Sequence, residues 1–249
     1  YYLDPFASDP TGWNLSADFL SGLDQLFHTI LDVGHRAWQQ FHNTGLDRRR
    51  VGVILGNICL PTPLSSQLAR EIFDLDRAGH RTDPRNRYVA GFPAGLLARS
   101  LGLGGCAFTL DAACASSLYA IKLACDELLA GRADAMLAGG ANGADTQYTQ
   151  MGFAQLRALS ASGRCAPMDR AADGLMVGEG AGVVVLKRAS DAVRDGDRIL
   201  GLVAGWGLSN DQYGNLLAPA VEGQLRAMRA AYERAGWKPS DVDLVECHA

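Results

Sequence analysis

The sequence predicts an α/β protein built on a parallel or mixed sheet, and three stretches carry that expectation. Residues 51–60 (VGVILGNICL) are an almost unbroken apolar run, the pattern of a strand covered on both faces. Residues 106–110 (CAFTL) read as a second strand that passes through small residues into a helix starting near Ala115. Residues 199–211, 221–235 and 241–249 read as strand, crossover helix and strand, an order that implies parallel pairing.

Taken in order, residues 1–13 are aromatic and turn-rich, with no strand before the first helix, so the chain is expected to begin inside its domain. From Ser16 to His42, Leu20, Leu23, Phe27, Ile30, Leu31, Trp38 and Phe41 follow helical spacing, with Gly34 as a weak point. His28, His35 and His42 repeat every seven residues along it. Seven residues of helix rise about 10.5 Å, which is too far for one ion, so they read as a helix flank and no metal site is expected. The basic patch Arg48, Arg49 and Arg50 precedes the first strand. Helices are expected near residues 65–75 and 93–100, separated by a polar loop holding Arg77, His80, Arg81, Arg85 and Arg87, which reads as a solvated face.

Residues 133–140 (ADAMLAGG) read as a short buried strand ending in glycines. The glycines of residues 178–182 (GEGAG) are followed by VVVLKR, a strand, whereas a dinucleotide cradle requires a helix there. Nucleotide binding is therefore not expected, and Glu179 reads as structural. A short helix and turn over 189–197 leads to the best internal boundary, after residue 198. The helix over 221–235 is expected to turn Leu225, Met228, Ala231 and Tyr232 inward and to end at Gly236.

The 249 residues are 48% hydrophobic with net charge −4, enough for a sizeable core and no signature of disorder. No apolar run is long enough to span a bilayer and the first residues lack a signal-peptide pattern, so a cytoplasmic protein is expected. The acidic balance argues against a nucleic-acid binder. Cys59, Cys106, Cys114, Cys125, Cys165 and Cys247 contain no CxxC pair, hence neither a disulfide framework nor a zinc site. All but Cys114 are assigned to packing.

Cys114 stands apart because of its elbow. The first N–H groups of a helix are unpaired and carry partial positive charge, which stabilises a thiolate and makes it a usable nucleophile. Ala112, Ala113, Ala115, Ser116 and Ser117 are all small, so the backbone turns sharply and a substrate can approach the sulfur. Leu118, Ile121, Cys125, Leu128 and Leu129 then recur at helical spacing, with Gly131 placed to end the helix.

Residues 111–120 (DAACASSLYA) resemble the nucleophile motif of β-ketoacyl synthases, the condensing enzymes of fatty acid and polyketide assembly. Residues 163–188 (GRCAPMDRAADGLMVGEGAGVVVLKR) and 242–249 (VDLVECHA) stand in the order and spacing of that family. The resemblance implies a thiolase-like fold of layered αβαβα type. Residues 1–198 would be the first half, carrying the nucleophile, and residues 199–249 the start of the second, truncated after His248. It implies that Cys114 accepts the growing acyl chain, and that His248, the first of the family's two catalytic histidines, hydrogen-bonds the malonyl thioester oxygen during decarboxylation. Substrate would arrive on the phosphopantetheine of an acyl carrier protein, with no cofactor bound by the domain itself, and the domain would work as a homodimer among other domains of a synthase. A docking surface for an acidic carrier is an alternative role for Arg81 and Arg85.

Within the family, residues 208–237 look most like ketosynthase domains of large iterative type I systems making polyunsaturated fatty acids or glycolipid chains. The family's second histidine and catalytic lysine have no counterpart before Ala249, so the 249 residues alone are expected to be inactive. Two other readings stay open: a non-catalytic partner of the chain-length-factor kind, and a thiolase-type acyltransferase that uses Cys114 without decarboxylation.

Overall fold

Val51–Asn57 forms β1, and all seven of its residues are buried, as the apolar run requires. The structure, a computed structural model, describes residues 3–4, 6–41, 45–73, 75, 82–213 and 220–248. His42, Arg77, His80 and Arg81, singled out above, lie outside the described residues. The chain forms two compact units, residues 1–198 and 199–249.

In the first unit β1 joins β2 (Ala107–Leu110), β3 (Ala135–Asn142) and β4 (Gly180–Leu186) in one four-stranded sheet of order β2-β1-β3-β4. β1 pairs in parallel with β2 and β3, and β4 runs antiparallel to β3. The sheet is thus mixed. Around it lie α1 (Ala17–Leu20), α2 (Gln25–Gln40), α3 (Pro63–Ile72), α4 (Phe92–Leu101), α5 (Ser116–Leu129), α6 (Thr146–Gln155) and α7 (Ala189–Arg194).

Alternation along the strands sends the two sides of the sheet to different partners. Val51, Val53, Leu55, Ala135 and Leu137 pack with Leu26, Phe27, Ile30 and Leu31 of α2 and with Leu96 and Leu97 of α4. Ile54, Met136 and Ala138 pack with Ala120, Ala124 and Leu128 of α5.

The single helix expected over 16–42 is two helices. Ser16 caps α1 and Asp24 caps α2, each side chain accepting a backbone N–H, and Gly22 between them adopts a left-handed φ of 78°. Gly34 is no weak point. It is buried in α2, and a Cβ there would stand 2.5 Å from both Leu97 methyls, so its lack of side chain is what lets α2 and α4 approach. His28 and His35 do share a flank. Ser8 N–H donates to His28 Nδ1 (3.3 Å), and His35 stacks on Trp13 with centroids 4.0 Å apart and hydrogen-bonds Ser100 (2.9 Å).

The stripe of α5 turned inward also differs from expectation. Leu118 and Leu129 are 66% and 65% exposed, whereas Ser116, Ala120, Ala124 and Leu128 are buried. Small residues at i, i+4 spacing face the sheet because the helix lies close to the strand backbone.

In the second unit, α8 (Val221–Ala235) ends at Gly236 in the left-handed region, as the sequence indicates. Its packed face is nevertheless the alanine row: a Cβ on Gly205 or Gly207 would collide with the carbonyls of Ala231 and Ala227. Leu225 and Met228, expected inside, are exposed. The strands expected over 199–211 and 241–249 are not formed among the described residues, and neither is their parallel pairing. A strand exists only where its N–H and C=O groups meet a ladder; here neither segment pairs, and Leu200 and Leu244 are 82% and 84% exposed.

Candidate active site

The elbow lies at the C-terminal ends of the parallel strands, where open α/β sheets place their chemistry. β2 ends at Leu110, paired with Gly56 of β1, and α5 starts at Ser116 with Ala115 as an N-cap that supplies no side-chain cap. The helix start sits directly on strand backbone. A Cβ on Gly56 would be 2.4 Å from the Ser116 carbonyl carbon, and one on Gly140 of β3 would be 3.0 Å from Ser117 Cβ. Glycine at both positions makes the seat.

Between strand and helix, Ala113 has φ of 49°, a left-handed conformation that L-residues with a Cβ disfavour by roughly 1–2 kcal/mol. Side chains on both sides of it hold the turn. Asp111 Oδ1 accepts Ala113 N–H (2.8 Å), and Asp111 Oδ2 accepts the N–H of Cys59, just beyond β1 (2.9 Å). Ser116 Oγ accepts Ala112 N–H (2.8 Å) and donates to the Ala113 carbonyl (2.6 Å). The two N–H bonds, Cys59 first and Ala113 second, lower the Asp111 pKa. Cys114 follows at once and is exposed.

The far end of α5 is tied down by ions. Arg50, before β1, pairs with Asp134 (2.6 Å) and donates to the Gly131 carbonyl (2.7 Å). Arg188, after β4, pairs with the same carboxylate (2.7 Å) and donates to the carbonyls of Leu128 (2.8 Å) and Ala133 (2.7 Å). Arginines there satisfy carbonyls at a helix C-terminus and oppose its dipole. Arg50, then Arg188, hold the Asp134 carboxyl down at about 2.

Other candidates resolve differently. His248 belongs to the second unit, exposed in a stretch without regular structure rather than at the end of a strand. Of the five cysteines assigned to packing, Cys125 is buried but Cys59, Cys106, Cys165 and Cys247 are exposed. Cys59 and Cys106 lie just outside the ends of β1 and β2, and Cys247 lies in the unpaired 242–248 segment, so apolar neighbours in sequence do not enclose them. Residues 180–186 are strand, which removes the phosphate-cradle geometry, and Glu179 accepts the N–H of Leu3 (3.1 Å).

Arg85 is a structural staple rather than a free surface cation. It pairs with Asp83, donates to the carbonyls of Phe19 and Ser21 and lies 4.4 Å over the Phe19 ring. Arg48, Arg49 and Arg50 are engaged as well, with the Leu101 carbonyl, Asp47 and Asp134 respectively.

In the sequence Asp111 and Ser116 stand only as neighbours of the cysteine. The spacing that reveals them is local: an Asp two residues before an N–H it can accept, and a Ser four residues after one.

Known proteins are similar to this chain in sequence and in fold. The family model described as "Beta-ketoacyl synthase, N-terminal domain" matches residues 2–192, and "Beta-ketoacyl synthase, C-terminal domain" matches residues 200–249. A phenolphthiocerol/phthiocerol polyketide synthase of Mycobacterium tuberculosis is 46% identical over 97% of this chain, which spans 13% of that protein. A polyunsaturated fatty acid synthase of Thraustochytrium sp. is 39% identical over 66% of the chain and 8% of its own length. Among solved structures, the PfaC keto synthase-chain length factor aligns with all of this chain at TM-score 0.93 and 42% identity, over 29% of its own length. The ketosynthase from module 6 of the bacillaene synthase of Bacillus subtilis 168 aligns with 95% of the chain and 40% of its own at TM-score 0.77 and 27% identity.

Proposed function

Because this chain belongs to the β-ketoacyl synthase family and has its thiolase-like fold, we propose that it is part of a ketosynthase performing decarboxylative Claisen condensation. The single observation that carries the reading is Cys114, exposed on a strand-to-helix elbow within a chain that matches both family domains. In the first half-reaction the Cys114 thiolate attacks the carbonyl of an acyl thioester on carrier phosphopantetheine. The tetrahedral oxyanion collapses, the carrier sulfur leaves and takes up the proton, and the acyl group stays on Cys114.

In the second, a malonyl-type thioester loses carbon dioxide, with the His248 ring hydrogen-bonding the thioester oxygen of the enolate. The enolate carbon attacks the acyl-Cys114 carbonyl; a carbon–carbon bond forms, the carbon–sulfur bond breaks and Cys114 leaves as thiolate. Electrostatic stabilisation of the developing oxyanion contributes most to lowering the barrier in steps of this kind. Working as a homodimer, beside carrier and other domains of a synthase, belongs to the same proposal.

The relative named as a keto synthase-chain length factor brings a second reading, a non-catalytic interaction partner. The exposed cysteine on its elbow favours the ketosynthase, because a scaffold protein has no use for a nucleophile there. The thiolase-type acyltransferase is disfavoured by the match to both ketoacyl synthase domains. Among the described residues no helix is long and apolar enough to cross a membrane.

Intact-mass spectrometry after mixing the full synthase domain with an acyl-carrier thioester tests the proposal. A single acyl adduct is expected, lost in Cys114→Ala. An adduct that persists in that variant overturns the assignment. His248→Ala is expected to keep acylation and lose release of carbon dioxide from malonyl carrier; release at the unaltered rate removes His248 from the scheme.

A further inference from the structure

We infer that Asp111 and Ser116 are positioning residues that hold the nucleophile in register by clamping the left-handed turn at Ala113. The inference rests on the reading of Cys114 as nucleophile. Ala113 is one of three non-glycine residues with positive φ among the described residues, and it immediately precedes the reactive sulfur. A turn of this kind persists only where its surroundings over-determine it, and here they do so from both sides. The N–H on one side of the Ala112–Ala113 unit goes to Ser116 Oγ and the next N–H goes to Asp111 Oδ1, while the Ala113 carbonyl receives the Ser116 hydroxyl.

Asp111 adds a longer reach. Its second oxygen takes the Cys59 N–H, so one carboxylate links the exit of β1 to the elbow after β2. Ser116 is buried and its backbone abuts Gly56 of β1, so the clamp is anchored to the same strand from the other side. Each oxygen of Asp111 has its own N–H. An asparagine offers one acceptor and must surrender one of the two.

The clamp acts on where the sulfur sits, so it governs the rate constant of acyl transfer rather than thioester affinity; misplacing a reacting group by about 1 Å costs on the order of a hundredfold. Single-turnover acylation of Cys114 in the full synthase domain, followed by intact mass, is the measurement. Asp111→Ala is expected to slow acylation tenfold or more with KM unchanged, and Asp111→Asn to fall between it and the native chain. Ala113→Gly, which enters the left-handed region without strain, is expected to recover threefold or more of the Asp111→Ala loss.

Acylation by Asp111→Ala within twofold of the native rate overturns the clamp, as does a loss that Ala113→Gly does not relieve. Should Asp111→Ala fail to fold, Asp111→Asn with and without Ala113→Gly gives the same comparison. Alkylation of Cys114 by iodoacetamide across pH separates the clamp from the nucleophile reading beneath it. A native chain that alkylates but never acylates refutes the nucleophile reading alone; acylation of Asp111→Ala at the native rate, in chains whose Cys114 alkylates alike, refutes the clamp alone.

Discussion

The two faces of the central sheet are packed by opposite rules. On one, α2 and α4 lay Leu26, Phe27, Ile30, Leu31, Leu96 and Leu97 over the strands, and large side chains fill the gap between helix and sheet. On the other, α5 sets Ser116 and Ser117 directly on Gly56 and Gly140, where backbone nearly meets backbone, and packs Ala120 and Ala124 with Ile54, Met136 and Ala138. The first arrangement supplies buried apolar area, which tolerates small shifts. The second leaves no room for a side chain between the start of α5 and the strands at Gly56, and it is the one that presents Cys114. Stability and positioning are therefore assigned to different sides of one sheet.

Truncating the large-residue face is expected to have the largest effect on stability. Phe27 is fully buried, and Phe27→Ala should cost about 3–5 kcal/mol through lost transfer energy and the cavity left behind. Urea titration of the native and variant chains measures it. The folded fraction should still acylate Cys114 at the native rate. A variant that stays within about 1 kcal/mol of native stability, or one whose folded fraction no longer reacts, breaks the division of labour.

The reciprocal change is Gly56→Ala. Its Cβ would stand 2.4 Å from the Ser116 carbonyl carbon, and backbone cannot swing aside as a side-chain end can, so the N-terminus of α5 must move. Overpacking of this kind costs about 1–3 kcal/mol, less than Phe27→Ala, yet acylation is expected to fall on the order of a hundredfold. Equal proportional losses of stability and rate would show that the small-residue face has no special role in positioning.

His35 sharpens the picture of the large-residue face through pH. Burial against Trp13 lowers its pKa from 6.5 to about 4, opposed by the nearby Asp32 carboxylate. The unfolded chain binds a proton at higher pH than the folded one, so this group lowers stability as pH falls through 6.5 and the loss is complete below about 4. Between pH 7.5 and 5 the change is about 2 kcal/mol. Denaturation at the two pH values, repeated on His35→Gln, checks it: the variant should lack that portion of the acid loss.

What the sequence made legible follows the same division. The continuous apolar run 51–60 and the Gly236 stop of α8 speak through local pattern: the strand forms from the start of the run and ends at Asn57, three residues before the run does, and α8 stops at Gly236. The motif around Cys114, residues 111–120, carries the family resemblance in consecutive residues, so it is legible without the fold. The packing of α5 departs from its apolar spacing, which selects Leu118 and Leu129, because the sheet takes small residues such as Ser116, Ala120 and Ala124. Exposure of Cys59 and Cys106 depends on where strands end in space. The roles of Asp111 and Ser116 depend on the φ of Ala113, which no composition encodes. The strands expected in residues 199–249 show the remaining limit, since a strand is a property of a pair and pattern describes only one member.

The smallest expected effect concerns the end of α5 remote from the cysteine. Asp134 receives Arg50 and Arg188, which hold its carboxyl at about 2 against an ordinary 3.8. A depressed carboxylate contributes stability that is present above pH 3.8 and lost as pH falls through 2. Because Asp134 is partly exposed and Arg50 more so, solvent screening reduces the contribution to about 1 kcal/mol. Asp134→Asn should therefore be about 1 kcal/mol less stable at pH 7, with the gap closing toward pH 2. Acylation should stay within twofold of native, because the Arg188 and Arg50 bonds to the Leu128, Ala133 and Gly131 carbonyls survive and the seat on Gly56 and Gly140 is untouched. A large loss of acylation in this variant would mean that the elbow is positioned from the remote end of the helix, and the close-packed seat beneath Cys114 would lose its claim to that role.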